Sequence, residues 1–193
     1  MSFRKELKFK LTFSDQKLLK HKLLSKGMKN LYPKRIVKSI YFDTKDLTFF
    51  HESNEGILPR KKVRIRSYND EKTFYQEIKY TSEEGRYKLN KKILKSNNSI
   101  KINDKKYGVL IPTLEINYNR EYFIYKNLRL TFDNNIKYKN LKSTINNQLL
   151  ENLCVMEIKT DMKTPDEFIS SLFSLRIERF SKYSRGIDSF INH

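Results

Sequence analysis

The sequence is short of most things that mark a secreted, membrane-spanning or mechanistically familiar protein. One cysteine, Cys154, in 193 residues excludes an internal disulfide and fits a reducing compartment. Its neighbours Leu153 and Val155 read as strand interior, so the thiol is expected to be buried rather than nucleophilic. Four prolines and five glycines leave no room for a Pro/Gly-rich linker, and no internal repeat is present. No stretch approaches the roughly 18 apolar residues of a membrane span, and the first residues, MSFRKELKF, lack the apolar run of a signal peptide. Of the three histidines, His21 and His51 fall in helix or loop context and His193 is terminal, so no zinc-site spacing arises. A phosphate-binding glycine loop and a nucleophile elbow are also missing.

Acidic residues are scarce relative to basic ones: 22 against 40, for a net charge of +18. Such an excess attracts polyanions. Eleven arginines are more informative than the twenty-nine lysines, because the planar guanidinium fork suits bidentate phosphate contacts and stays charged when partly desolvated. Hydrophobic residues at 38% and aromatics at 13% supply one substantial core, and the length fits a single domain over 1–193.

Period-2 alternation dominates the chain. In FRKELKFKLTF, Leu7, Phe9, Leu11 and Phe13 alternate with Arg4, Glu6, Lys8 and Lys10. Seven further stretches read as strands: RIVKSIYFDT, RKKVRIRSY, TFYQEIKY, RYKLNKKIL, TLEINYNREYFIY, LRLTFD and CVMEIKT. Helices are few. One follows Ser14 as a candidate N-cap, with Leu18, Leu19, Leu23 and Leu24 as its apolar stripe and Gly27 as its stop; another opens at Thr164-Pro165 with Glu167 completing a capping box. The polar stretch 95–106 reads as a loop or excursion between strands.

The phase of the charges carries the functional signal. Arg64 and Arg66 share one strand face, as do Glu77 and Lys79, Arg129, Thr131 and Asp133, and Glu157 and Lys159, while Ile78, Leu130, Phe132 and Ile158 point the other way. A solvated sheet face or cross-strand salt bridges would account for any one pair. Charged residues of both signs at one phase on strand after strand imply more: an α+β fold built on a closed antiparallel eight-stranded β-barrel, with a polar, charged lumen and a few helices packed outside. Enclosed cations are offset by a polyanion and its metal ions.

Read in order, RKELKFKL, SIYFDT, VRIRSY, EIKY, YNREYF, LRLTFD, VMEIKT and FSKYSRG resemble the catalytic domain of the vacuolar transporter chaperone (VTC) family, a branch of the triphosphate tunnel metalloenzymes. The resemblance implies a basic tunnel in which the γ-phosphoryl of ATP is transferred to a growing inorganic polyphosphate chain with Mn²⁺ or Mg²⁺. It implies phosphate binding by Lys8, Arg64, Arg66, Lys79, Arg120, Arg129, Lys159 and Lys182, with Arg64, Arg66, Lys79, Arg120, Arg129 and Lys159 nearest the chemistry. Glu157 falls at the metal-ligand position, and Glu6 and Glu77 are weaker acidic candidates. After EIKY a basic pair is expected, and Arg86, Lys88, Lys91 and Lys92 compete for it. Arg120 shares parity with Ile116 and Tyr118, so its role rests on the resemblance. The family's wider Glu-x-Glu-x-Lys opening is Arg4-x-Glu6-x-Lys8 here, which favours the VTC branch over an ordinary two-metal triphosphatase.

Hydrolysis of triphosphate or nucleoside triphosphate, and polyphosphate binding without turnover, are the alternatives. Specific nucleic-acid binding is not expected, since the arginines sit at internal phase rather than in an external patch with stacking aromatics. Eukaryotic polymerases of the family also carry an inositol-phosphate-sensing domain and a membrane portion, neither of which has a counterpart in these residues. The expectation is therefore a cytoplasmic protein, peripheral to the inner face of a membrane, with a separate membrane protein as its partner.

Overall fold

The computed structural model describes residues 4–69, 72–93, 101–144, 147–173 and 175–191. His193 and residues 95–100 of the expected excursion lie outside them. The first half of the chain forms β1 (Arg4–Leu11), α1 (Phe13–Ser25), β2 (Lys29–Asp43), α2 (Thr48–Glu55), β3 (Arg60–Tyr68), β4 (Phe74–Thr81) and β5 (Arg86–Ile93). The second half forms β6 (Ile102–Asp104), β7 (Gly108–Tyr125), β8 (Leu128–Asn140), β9 (Gln148–Leu150), β10 (Cys154–Asp161), α3 (Asp166–Phe173) and α4 (Lys182–Ile191).

All eight expected strands form, joined by the short β6 and β9, in an α+β fold. They pair in the order β1-β10-β8-β7-β2-β3-β4-β5, with β6 on β7 and β9 on β8. This corrects the expectation of a closed barrel: among the described residues the path is open, ending in β1 and β5. Alternation dictates which face a side chain occupies, but closure also requires matching strand number, tilt and stagger, which alternation does not encode. Both edge strands are rich in lysine (Lys5, Lys8 and Lys10; Lys88, Lys91 and Lys92), a common protection for an unpaired edge.

The chain divides into two compact units. The first comprises Met1–Arg35, Tyr118–Ile136 and Glu151–Phe180; the second comprises Ile36–Asn117, Lys137–Leu150 and Ser181–His193.

In the first unit, one sheet face presents Phe9, Leu11, Phe123, Leu130, Phe132, Cys154, Met156 and Ile158 to Leu23 of α1 and to Ile169 and Phe173 of α3. Burial of these large side chains, at about 25 cal/mol per Å² of apolar surface, is the main stabilising contribution. Helix α1 starts two residues earlier than expected, because Thr12 rather than Ser14 is the cap: its hydroxyl accepts from the Asp15 N–H at 3.1 Å. Gly27, at φ 94, follows the last turn as expected. Of the four stripe leucines only Leu23 is buried and Leu19 half-buried against the core, while Leu18 is 70% exposed. Cys154 is buried, and its burial pushes the thiol pKa up to about 11, so it is an inert core residue.

The second unit packs Ile40, Phe42, Phe49, Val63, Ile65 and Leu110 together. Asp43 organises it. Its carboxylate accepts from the N–H groups of Thr44, Phe49 and Phe50 at 2.7, 2.9 and 3.0 Å, anchoring the start of α2, and from the Tyr183 hydroxyl of α4 at 2.5 Å. Helix α4 lies so close to its neighbours that a Cβ on Gly186 would meet Leu114 Cδ2 at 2.6 Å and Tyr138 Cδ1 at 2.7 Å. A side chain there would force the helix away.

Candidate functional site

On the first unit, the face opposite the hydrophobic core is polar, and strand register determines its neighbours. Lys8 stands opposite Glu157 and Glu6 opposite Lys159 between β1 and β10; Glu157 stands opposite Thr131 and Lys159 opposite Arg129 between β10 and β8. The Lys159 ammonium reaches Glu157 at 3.1 Å and Glu6 at 3.3 Å. Burial alone would lower the lysine pKa, but Glu157 and Glu6 outweigh it and hold the value above the ordinary one. Lys8 Nζ donates to the Phe180 carbonyl at 2.8 Å.

Arg120 joins this face through Asp133. Its Nε and Nη2 donate to the two carboxylate oxygens at 2.6 Å each, a bidentate pair with a fully buried acid. Burial would weaken the guanidinium's hold on its proton, yet Asp133 raises its pKa well above the usual value. The Tyr118 ring, at the same parity, lies 5.2 Å from the guanidinium carbon, and Asp133 on the neighbouring strand is the residue that fixes it.

Arg129 differs from its neighbours. Its guanidinium carbon lies 5.6 and 5.8 Å from the ring centroids of Tyr32 and Tyr122, its Nε is buried, and that Nε has no hydrogen-bond partner. The Thr131 hydroxyl, two residues on along the same face, is also buried without a partner. Unsatisfied buried donors are uncommon in folded proteins and call for an explanation such as a bound ligand.

The second unit carries the other basic face. Register places Lys62 opposite Lys79, Arg64 opposite Glu77 and Arg66 opposite Tyr75; across β2 and β3, Tyr41 faces Arg64 and Ser39 faces Arg66. Glu77 is only 2% exposed and sits among cations: Arg64 Nε and Nη2 at 2.6 and 2.5 Å, Lys88 Nζ, and Arg66 Nη1 at 3.8 Å. Burial would raise its pKa, but Arg64 and Arg66 together with Lys88 hold it far below the usual carboxylate range. The two adjacent arginines thus share one buried acid.

Tyr41 donates nothing to Arg64 but accepts from its Nη1 at 2.8 Å, and Arg66 Nε donates to Ser39 Oγ at 3.0 Å. Although burial opposes ionisation of Tyr41, Arg64 and Arg66 bring its pKa down to about 8. Lys62 Nζ donates to Ser181 Oγ at 2.8 Å, and the Tyr183 ring stacks on Tyr41 with centroids 5.0 Å apart. Tyr183 in the first turn of α4 and Ser181 just before the helix therefore brace this face, and Lys182 is the first residue of the helix.

The competing basic residues on β5 separate by register. Lys88 stands opposite Lys79, Arg86 opposite Thr81 and Lys92 opposite Tyr75, so these three share the face of Glu77; Lys91 stands opposite Gln76 on the other face. Tyr41, Ser39 and Tyr32 were not singled out from the sequence. The alternation of Ser39, Tyr41 and Asp43 in SIYFDT could have flagged the first two, whereas nothing in NLYPKR distinguishes Tyr32 from an ordinary strand tyrosine.

Among the described residues no group of three or more His, Cys, Asp or Glu side chains forms a ready metal site. The acids that come nearest are Glu157 and Glu6, which converge on one ammonium. Glu77 has both oxygens engaged by Arg64 and Lys88.

Several solved structures share this fold. A putative adenylate cyclase from Vibrio parahaemolyticus is similar over 97% of this chain and 98% of its own, with TM-score 0.58 and 13% identity. A putative adenylyl cyclase from Hippeastrum, described as having a dominant triphosphatase activity, covers 95% of both chains with TM-score 0.58 and 15% identity. A Pyrococcus horikoshii OT3 protein covers 94% of this chain and 98% of its own, with TM-score 0.57 and 13% identity. These likenesses show a shared fold. By sequence the chain belongs to the VTC domain family, whose model matches residues 3–191. No curated protein matches it in sequence.

Proposed function

We propose that residues 1–193 act as one domain that transfers the γ-phosphoryl group of ATP to the terminal phosphate of an inorganic polyphosphate chain. The observation that carries this reading is Arg129, whose buried Nε lacks a partner on a face it shares with Lys159, Thr131 and Glu157. A phosphate oxygen would satisfy that donor and the neighbouring Thr131 hydroxyl. Lys8, Arg120, Arg129 and Lys159 on one unit, and Arg64, Arg66, Lys79, Arg86, Lys88 and Lys182 on the other, are the proposed phosphate contacts.

Phosphoryl transfer demands positioning and charge neutralisation more than covalent chemistry, and an ionised terminal phosphate needs no protein base. Arg64, Arg66, Lys79, Arg120, Arg129 and Lys159 supply fixed positive charge for that purpose. Oxygen donors such as Glu157 and Glu6 suit Mn²⁺ or Mg²⁺, which commonly take one or two protein carboxylates and complete their coordination with phosphate oxygens and water. Those two residues would hold it, and when bound the ion offsets charge on the phosphoryl oxygens.

No described helix is long and apolar enough to cross a membrane. Net charge +18 would draw a cytoplasmic protein to an anionic membrane surface, where a separate membrane protein could receive the product. The triphosphatase activity of the Hippeastrum neighbour favours hydrolysis as the second reading.

Incubation with ATP and Mn²⁺, with and without a short polyphosphate primer, separates the readings when polyphosphate, ADP and orthophosphate are resolved together. Polyphosphate with equivalent ADP is expected. Orthophosphate without polyphosphate would replace the polymerase with a hydrolase, and tripolyphosphate binding without turnover would leave a binding module. Glu157→Gln should abolish metal-dependent turnover while the variant still folds and still binds tripolyphosphate without metal. Retained turnover would move the metal elsewhere.

A further inference from the structure

The first unit has a recess of about 500 Å³ whose lining includes Asn30, Tyr32, Pro33, Lys34, Glu121 and Tyr122, and the Arg129 guanidinium carbon lies 5.6 and 5.8 Å from the two tyrosine rings. That volume falls within the roughly 300–1,000 Å³ of small-molecule clefts. Tyr32 is 46% exposed, its ring meets Tyr122 edge-on at 5.8 Å, and Arg35 lies 5.7 Å from the Tyr122 ring. Glu121 is already engaged: it pairs with Lys20 and accepts from Asn134 Nδ2 at 3.2 Å.

We infer that this recess is a nucleobase subsite, in which the base of a nucleoside triphosphate stacks on Tyr32 while its phosphates run toward Arg129. Three features argue for a base rather than more phosphate. The exposed group is an aromatic face, which offers stacking to any base. Arg35 and Arg129 lie within 6 Å of the tyrosine ring centroids, and of the two only Arg129 presents an unmatched buried donor. Asn30, with both amide donor and carbonyl acceptor, can complement the donor-acceptor edge of a base.

The proposal rests on the phosphate-binding reading of Arg129 and adds to it the recognition of the nucleoside. It makes this site nucleotide-selective: ATP should bind more tightly than its phosphates alone would.

The test compares metal-free binding of ATP and of tripolyphosphate to wild type, Tyr32→Ala and Tyr32→Phe by calorimetry, with a thermal melt of each variant. Stacking on one aromatic ring implies about a tenfold loss of ATP affinity in Tyr32→Ala, unchanged tripolyphosphate affinity, and wild-type behaviour in Tyr32→Phe. Unchanged ATP affinity in Tyr32→Ala would overturn the subsite. Equal losses for both ligands would also overturn it, because Tyr32 would then act through Arg129. A wild type that binds neither ligand would remove the phosphate reading itself, a result distinct from either.

Discussion

Arg129→Ala should weaken tripolyphosphate binding by at least tenfold, and by about a hundredfold where two guanidinium bonds are lost, while Lys105→Ala changes it by less than about twofold. Lys105 is exposed and tests the contribution of net charge alone. Arg129 is a different case because its Nε is buried and unmatched before any ligand arrives. Its desolvation cost is already part of the folded state, so a phosphate oxygen gains the bond without a new penalty on the protein side. The Tyr32 and Tyr122 ring centroids lie 5.6 and 5.8 Å from the Arg129 guanidinium carbon, beyond hydrogen-bonding range, so neither ring takes the place of an anion. Arg129→Lys keeps the charge but loses the planar fork, and should recover only part of the affinity. Equal titrations for Arg129→Ala and Lys105→Ala would reduce the polar face to a diffuse basic surface, whose binding would fall uniformly with salt.

The sheet and both polar faces were legible because alternation is a local property: Phe9, Leu130 and Ile158 alternate with Lys8, Arg129 and Lys159, and the structure puts each set on one side. Strand closure was not legible, since it depends on stagger accumulated over many strands. Helix α2 escaped notice because TFFHESNE has no side-chain N-cap of its own; Asp43, five residues before its start, provides the hydrogen bonds. The pairing of Arg120 with Asp133 joins two strands and was invisible to parity within either. Register between β4 and β5 likewise had to come from the structure before Lys91 could be separated from Lys88. Charges at one phase were therefore readable as a face, but not as partners.

The partner relation matters most at Glu77. Glu77→Gln should destabilise the protein by about 3–5 kcal/mol at neutral pH, measured by urea unfolding, because it removes the buried carboxylate that Arg64 and Arg66 share. The substitution is nearly isosteric, so a cavity contributes little. Its pH dependence gives the sign. The folded pKa of Glu77 is held below the ordinary value of 4.5, so its stabilisation is fully present above that value and declines as pH falls below it toward the folded pKa. Glutamine does not titrate, and the stability gap between wild type and variant should therefore narrow between about pH 5 and pH 3. Tripolyphosphate should restore much of the loss in the variant, since an added anion can neutralise the arginines that Glu77 no longer serves. It should also bind the variant more tightly than wild type, where Glu77 competes for the same guanidinium groups. A destabilisation below about 1 kcal/mol that is independent of pH would mean that Arg64 and Arg66 behave as a solvated surface pair. The expected result would instead make Glu77 the resident anion of this face, holding the two arginines in place.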